Sequence, residues 1–349
     1  MGNAPNKKVE NGIDIVITWV DGSDENWRKK KAEWKGRGYQ TSFSRWGTSE
    51  VRYRDWGLLP YLFRGIELYA PWAGTIHFVT AGQVPKWLNV DHPRLRIVSH
   101  DEFMPSRYLP TFSSRAIEFC FPFIQGLSER FVYFNDDMYL LNPTEATDFF
   151  AGSLPKLVPS ENTAAVNPYN PYFAMQIHAG VINRHFSKRE VWRRDWRKWL
   201  SPKIDRRIRL ENLLLRLYPT FRAFRDDHLP SPYLKSTIQR LWEVEPELLE
   251  YACSQRFRTL DGVNIWLAKD WQLATGQYDV ASGMGALLPC RDSQGMPLLD
   301  KTVDVIVHGR QKSICLNDHD FGEDELELWK TAVQDAFATR FPHKSSFER

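Results

Sequence analysis

The sequence predicts an α/β protein: a Rossmann-like, mostly parallel sheet flanked by helices and interrupted by a helical insertion. Three observations carry this. Short apolar runs, some β-branched and free of Gly and Pro, alternate with stretches of helical period through the first 150 residues. Several of those runs stop at Asp or Asn, in the loops where an open α/β sheet holds its ligands. A mainly helical block over 186–275 then gives way to short strands again. At 349 residues the chain supports one large core or two smaller domains, and 14 Trp within a 14% aromatic content mark a packed chain rather than a disordered one.

Taken in order, residues 13–20, IDIVITWV, read as a buried strand that runs into the turn Asp21, Gly22, Ser23, Asp24. Asp24 is placed to cap the charged helix that follows. Within 55–69, Leu58, Leu59, Leu62, Ile66 and Tyr69 fall at helical spacing, and Ala70-Pro71-Trp72 ends the helix. Strands are expected over 75–80 and 95–98, a helix over 113–124 and a strand over 131–134. After Pro143, loops rich in Pro and Asn run to about residue 173 and the helical block follows. Strands return at 303–307 and 313–316, ahead of an amphipathic helix over 323–340. The expected organisation is an α/β core from residues 1–150 and 277–349, with 151–276 as a mainly helical insertion or cap.

The chemistry concentrates in FVYFNDDMYL, 131–140, where an apolar run stops at Asn135, Asp136 and Asp137. Two adjacent carboxylates behind such a run are costly to bury unless a positive charge neutralises them, and a hard divalent cation, Mg²⁺ or Mn²⁺, prefers oxygen ligands. An isolated NDD is served equally well by a turn using Asn and Asp for local hydrogen bonds. Here, however, three strands end alike: Asp21 with Asp24, Asn135 with Asp136 and Asp137, and Asn317 with Asp318. That repetition points to one shared polar site. Arg54, Arg64, Lys235 and Arg258 are candidate cationic partners, and His178 and His228 candidate proton carriers. His228 sits in RDDHLPSPY, where Asp226 and Asp227 favour its charged form, so as a base it needs another cation nearby.

Several classes are set aside. No run of about 18 apolar residues exists to span a membrane, and the segment MGNAPNKKVENG lacks the apolar region of a secretory signal. The four cysteines are scattered without a C-x-x-C pair, against both a zinc cage and a disulfide framework. A cytoplasmic chain is therefore expected. The net charge of +3 hides an island: 186–225 holds thirteen Lys/Arg against four Asp/Glu, an excess of nine. Within it Trp192, Trp196 and Trp199 recur at helical spacing beside Arg193, Arg194, Arg197 and Lys198. A helix packing its tryptophans on the core explains this, as does an interfacial helix resting on anionic headgroups at the inner face of the plasma membrane, or a seat for a polyanion. No nucleic-acid module accompanies the patch, so no nucleic acid is expected.

DIVITWVDGSD (14–24), RYRDWGLLPYLFRGIELYAPW (52–72), FVTAGQVPKWL (78–88), LPTFSSRAIE (109–118) and GLSERFVYFNDDMYL (126–140) resemble the first two conserved blocks of the Stealth proteins. HLPSPYLKSTIQRLWE (228–243) with FRTLDGVNIWLAKDWQLATG (257–276) is similar to the third block, and ICLND with FPHKSSFE to the fourth. The resemblance implies a nucleotide-sugar-transferase (GT-A-type) fold. It also implies transfer of a sugar-1-phosphate from a nucleotide-diphosphate sugar to a glycan hydroxyl, in capsule or cell-surface polysaccharide synthesis. UDP-GlcNAc is the first donor to expect, because the family often uses UDP-N-acetylhexosamines. On this reading Asp136, Asp137 and Asp318 are the Mg²⁺ or Mn²⁺ ligands, Arg258 steadies the phosphoryl group and His228 is the base. Trp19, Asp21, Gly22 and Asp24 form the donor loop, with Arg54, Asp55, Arg64, Asn135, Lys235 and Asn317 as further substrate contacts. A homodimer is compatible with all of this. A metal-dependent glycosyltransferase releasing a nucleoside diphosphate, and a non-catalytic binder of anionic glycopolymers, are the rival readings.

Overall fold

The computed structural model describes residues 12–37, 50–163 and 172–349. The amino-terminal segment read above and part of the Pro/Asn-rich stretch lie outside them. Five strands form the central sheet: β1 (Ile13–Thr18), β2 (Ile76–Thr80), β3 (Leu95–Ser99), β4 (Arg130–Asn135) and β8 (Ser231–Leu234), in the order β3-β2-β1-β4-β8. The first four are parallel, with Ile15 beside Ile76 and Val132, and β8 runs antiparallel to β4. Every residue of β1 is buried, as a strand covered on both faces requires.

The two faces have different covers. Ile15, Ile17, Phe78 and Phe134 pack with Leu62, Phe63 and Ile66 of the Leu59–Tyr69 helix and with Val333 and Phe337 of the Glu323–Arg340 helix. On the other side Val16, Val79, Phe131 and Tyr133 meet Phe119, Ile238, Leu241, Ala268 and Trp271. Residues 151–276 thus supply β8 and one of the two helical layers of this sheet. A second sheet joins β5 (Met138–Leu140), β10 (Gly285–Pro289) and β11 (Ser313–Asn317), with β11 central. β6 (Phe150–Ala151), β7 (Leu154–Leu157) and β9 (Asp279–Val280) make a third. Among the described residues, no helix is long and apolar enough to cross a membrane.

The expected strand at 303–307 is instead part of a helix, Leu299–His308. Its β-branched run is used at helical spacing: Thr302 and Ile306, four apart, are buried, and Val303, Val305 and Val307 are half-buried against the same cluster. Tertiary packing outweighs strand propensity there. The helix expected over 113–124 is Ser114–Phe119 followed by a 3₁₀ turn at Phe121–Phe123, where Pro122 interrupts the regular period. The tryptophan stripe is mostly core. Trp192 and Trp199 are buried and stacked with ring centroids 5.5 Å apart, leaving only Trp196 of the three exposed.

Candidate active site

At the carboxyl edge of β1 and β4 the sheet opens into a cavity of about 820 Å³. Its floor is Thr18, Trp19, Asn135, Asp136 and Asp137, where the buried strands run out. Arg52, Arg54 and Asp55 enter from the segment preceding the Leu59–Tyr69 helix, His228 from the loop before β8, Arg258 from the loop before the Trp266–Thr275 helix, and Asn317 and Asp318 from the end of β11. The backbone brings the distant pieces together: Leu316 N donates to Asp137 O at 2.9 Å, continuing the β5–β11 ladder past the NDD turn. An adjoining groove of about 1280 Å³ shares Trp19 and Asp55 and reaches Asp21 and Asp24.

One side of the cavity is acidic. Asp136 is exposed within it, yet the surrounding protein, the Asp137 charge and the Asp55 charge push its carboxyl up to about 7. Beside it Asp137 Oδ1 is buried and has no hydrogen-bond partner. Among the described residues, ligand atoms of Asp137, His228 and Cys315 lie within 4.8 Å of one another. Burial and the neighbouring Asp137 carboxylate hold the Cys315 thiol well above its ordinary range, so it stays protonated. Asp318 lines the same cavity but is engaged elsewhere, 3.5 Å from Arg54 Nη1 and accepting from Trp56 Nε1 at 3.1 Å. Burial raises its carboxyl and Arg54 pulls it back. An unpartnered carboxylate oxygen, with a second carboxyl beside it that like charge keeps from ionising, is a pair of oxygen ligands that a hard divalent cation relieves by displacing the proton. The residues present fit one.

The other side is cationic. Arg258 Nη2 donates to Ser114 Oγ at 2.7 Å. Arg52 is pushed down to about 9 by burial and by the Arg258 charge, and Arg115 to about 10 by the same two causes. Arg115 is spent on carbonyls, donating to Thr259 O and Gly262 O at 2.8 Å, whereas Arg52 and Arg258 line the cavity. Guanidiniums lowered by burial and by a neighbouring positive charge in this way are relieved by an anion.

His228 lies between the two sides. Its Nε2 is 3.5 Å from Asp137 Oδ2, its Nδ1 is buried without a partner, and its backbone sits at φ 48°, an uncommon conformation for a non-glycine residue. Asp226 fixes that loop, with Oδ1 accepting from His228 N at 2.7 Å and Oδ2 paired with Lys269. Burial lowers the imidazole's affinity for a proton, but Asp137 and Asp226 outweigh it and the net shift is upward, with Arg258 opposing.

Other expected residues are placed elsewhere. Arg64 is bound bidentately by Glu348 at 2.7 Å and donates to Phe341 O, tying down the carboxyl terminus, and Lys235 Nζ donates to Leu127 O at 3.0 Å; neither lines the cavity or the groove. A Cβ on Gly22 would lie 1.9 Å from Tyr53 O, so this glycine permits contact between two backbone segments. Asp24 caps the Glu25–Gly36 helix through Trp27 N at 2.7 Å, and Asp21 accepts from Ser23 N. His178 is buried, 3.2 Å from Asp270 Oδ2, and is a structural group. Arg52, Ser114 and Cys315 belong to the site or its border without standing out in the sequence. Arg52 stands two residues from Arg54 in the same RYRDW, and Cys315 two before Asn317, so strand alternation carried a signal for the latter.

The chain's likeness to known proteins runs through these same elements. Residues 12–39 match the family model for Stealth protein CR1, conserved region 1, residues 52–156 that for CR2, conserved region 2, and residues 304–349 that for CR4, conserved region 4. The chain is 38% identical over 337 residues to a receptor polysaccharide phosphotransferase, WefC, of Streptococcus gordonii, covering 96% of this chain and 98% of that one. It is 33% identical over 351 residues to a capsular polysaccharide phosphotransferase, WcwK, of Streptococcus pneumoniae, covering 97% and 98%. It is 32% identical over 339 residues to an exopolysaccharide phosphotransferase, cps2G, of Lactiplantibacillus plantarum, covering 97% and 96%. Three matched regions that carry the strand ends at Asp21, at Asn135 to Asp137 and at Asn317 to Asp318, together with relatives aligned over nearly the whole length, show that the chain belongs to the Stealth family.

Proposed function

We propose that this protein transfers a sugar-1-phosphate from a nucleotide-diphosphate sugar to a sugar hydroxyl, forming a phosphodiester in a capsular or other cell-surface polysaccharide. The observation that carries the proposal is the facing of acidic and guanidinium walls across His228 in one cavity. Its size suits a nucleotide sugar. The names of the relatives, all polysaccharide phosphotransferases, support the reaction class. UDP-GlcNAc is the donor proposed for first trial.

In the proposed step the acceptor hydroxyl oxygen bonds to the sugar-bearing phosphorus and the bond from that phosphorus to the bridging oxygen of the diphosphate breaks. The electron pair leaves with the nucleoside monophosphate, and the hydroxyl proton passes to His228. Arg258 and Arg52 hold the anionic oxygens of the transferring group and spread their charge. Asp136 and Asp137 would hold Mg²⁺ or Mn²⁺, with Asp318 near the same space; the ion would supply neutralisation of the diphosphate. Since Asp137 and Asp226 raise the imidazole, the base form of His228 is gained as pH rises, and activity should climb through that range.

The nucleotide released decides between this and its rivals. With UDP-GlcNAc, Mg²⁺ and a glycan acceptor, UMP is expected. UDP would replace phosphotransfer by glycosyl transfer. If no donor in a nucleotide-sugar panel is consumed, while polymer binding survives loss of Asp136 and Asp137, the protein is a binder.

A further inference from the structure

The basic segment takes no part in the cavity, yet its surface has a composition that packing does not explain. The Arg206–Leu215 helix and the turn after it place Leu210, Leu213, Leu214 and Leu217 at i, i+3, i+4 and i+7, which is one helical face. That face points to solvent: the four leucines are 57%, 44%, 58% and 82% exposed. The helix is attached through its other side. Asn212 and Leu215 are buried, and Asn212 Nδ2 donates to Pro159 O and Trp199 O at 2.9 and 3.1 Å. The leucines are therefore not needed to hold the helix in place. Exposed Lys203, Arg206, Arg207 and Arg216 lie on the same stretch of chain, and the Lys188–Trp199 helix packed beside it exposes Arg193, Trp196 and Arg197.

We propose that this leucine face with its arginine surround docks the protein on an anionic lipid surface. The leucines would enter the boundary between headgroups and acyl chains, and the guanidiniums would meet lipid phosphates. Charge selects this occupant. A second copy would match leucine to leucine but bring an equal excess of nine positive charges against the first. A soluble polyanion would satisfy the arginines and leave the leucines in water. This surface is distinct from the cavity, so the inference stands whether or not the proposed reaction is correct.

Flotation of the full chain with phosphatidylcholine vesicles, with and without added phosphatidylglycerol, tests it. Binding is expected on the anionic vesicles only, weakening as salt rises. Leu214→Asn with Leu217→Asn should lower the bound-to-free ratio roughly tenfold or more, and Lys203→Glu with Arg206→Glu on the order of tenfold at low salt. Both double variants should unfold at the wild-type temperature, since all four side chains are exposed. Failure to float with anionic vesicles at low salt, or flotation undiminished by the leucine pair, would overturn the proposal. So would a dimer in light scattering that the leucine pair dissolves, because a second copy would then be the occupant.

Discussion

Two carboxylates near opposite ends of the same parallel strands are treated in opposite ways. Asp14, towards the amino end of β1, accepts from Thr75 N at 2.9 Å and Ser128 N at 2.8 Å, with His77 Nε2 at 3.2 Å from Oδ2. Burial raises this carboxyl, but His77 and Ser128 outweigh it and hold it below the usual carboxylate range. Asp136, past the carboxyl end of β4, is raised to about 7 by desolvation and by the Asp137 and Asp55 charges, which outweigh the opposing Arg258. Donors built into the fold complete the first. The second is left for a ligand to complete, and such uncompensated charge marks a working site rather than a structural one.

Substitutions at the two ends should separate activity from stability. The largest effect expected is on Asp137→Ala: turnover, read as nucleotide released, should fall on the order of 10³-fold while the unfolding midpoint changes little. Arg258→Ala should follow, with a loss on the order of 10² to 10³ in kcat/KM that Arg258→Lys restores only in part, because an ammonium cannot offer the guanidinium's fork. At the other end Asp14→Ala should cost roughly 2–4 kcal/mol in denaturant unfolding, by stranding two part-buried backbone donors and the buried His77, and leave the kcat of the folded protein intact. Because the folded value of Asp14 is depressed, its contribution is complete above about pH 4, the ordinary carboxylate value, and is lost as pH falls through the lower folded value. The gap between wild type and variant should therefore narrow in acid.

The smallest effect has the opposite sign. Asp136 is raised in the folded state, so the wild type loses stability as pH climbs from the ordinary carboxylate value to about 7. Asp136→Asn should then be more stable than wild type above that pH, by about 1 kcal/mol once screening at this exposed position is allowed for. It should also be the less active. A variant that lost both stability and activity would erase the distinction between the two ends.

How far the sequence was legible follows the same division. The central strands could be read because a strand covered on both faces must be apolar throughout, as IDIVIT is, and NDD could be read because charge behind such a run is conspicuous. The run at 303–307 misled because Val and Ile pack in either period once Thr302 and Ile306 find a neighbouring helix. Cations were hardest. Arg64 and Arg52 look alike in sequence, but Glu348, far along the chain, claims Arg64, while Arg52 faces the cavity beside Arg258. The tryptophan stripe drew notice away from the leucines that are actually exposed, because helical spacing identifies a face without saying what lies against it.

Titration of the protein with Mn²⁺, followed by the loss of the free ion's magnetic-resonance signal, bears most directly on the contrast between the two ends. One ion is expected to bind the wild type, more tightly above pH about 7 than below it as Asp136 gives up its proton. In Asp137→Asn that binding should be lost. Equal affinity in wild type and Asp137→Asn, or affinity indifferent to pH across that range, would contradict the assignment of these carboxylates to a cation.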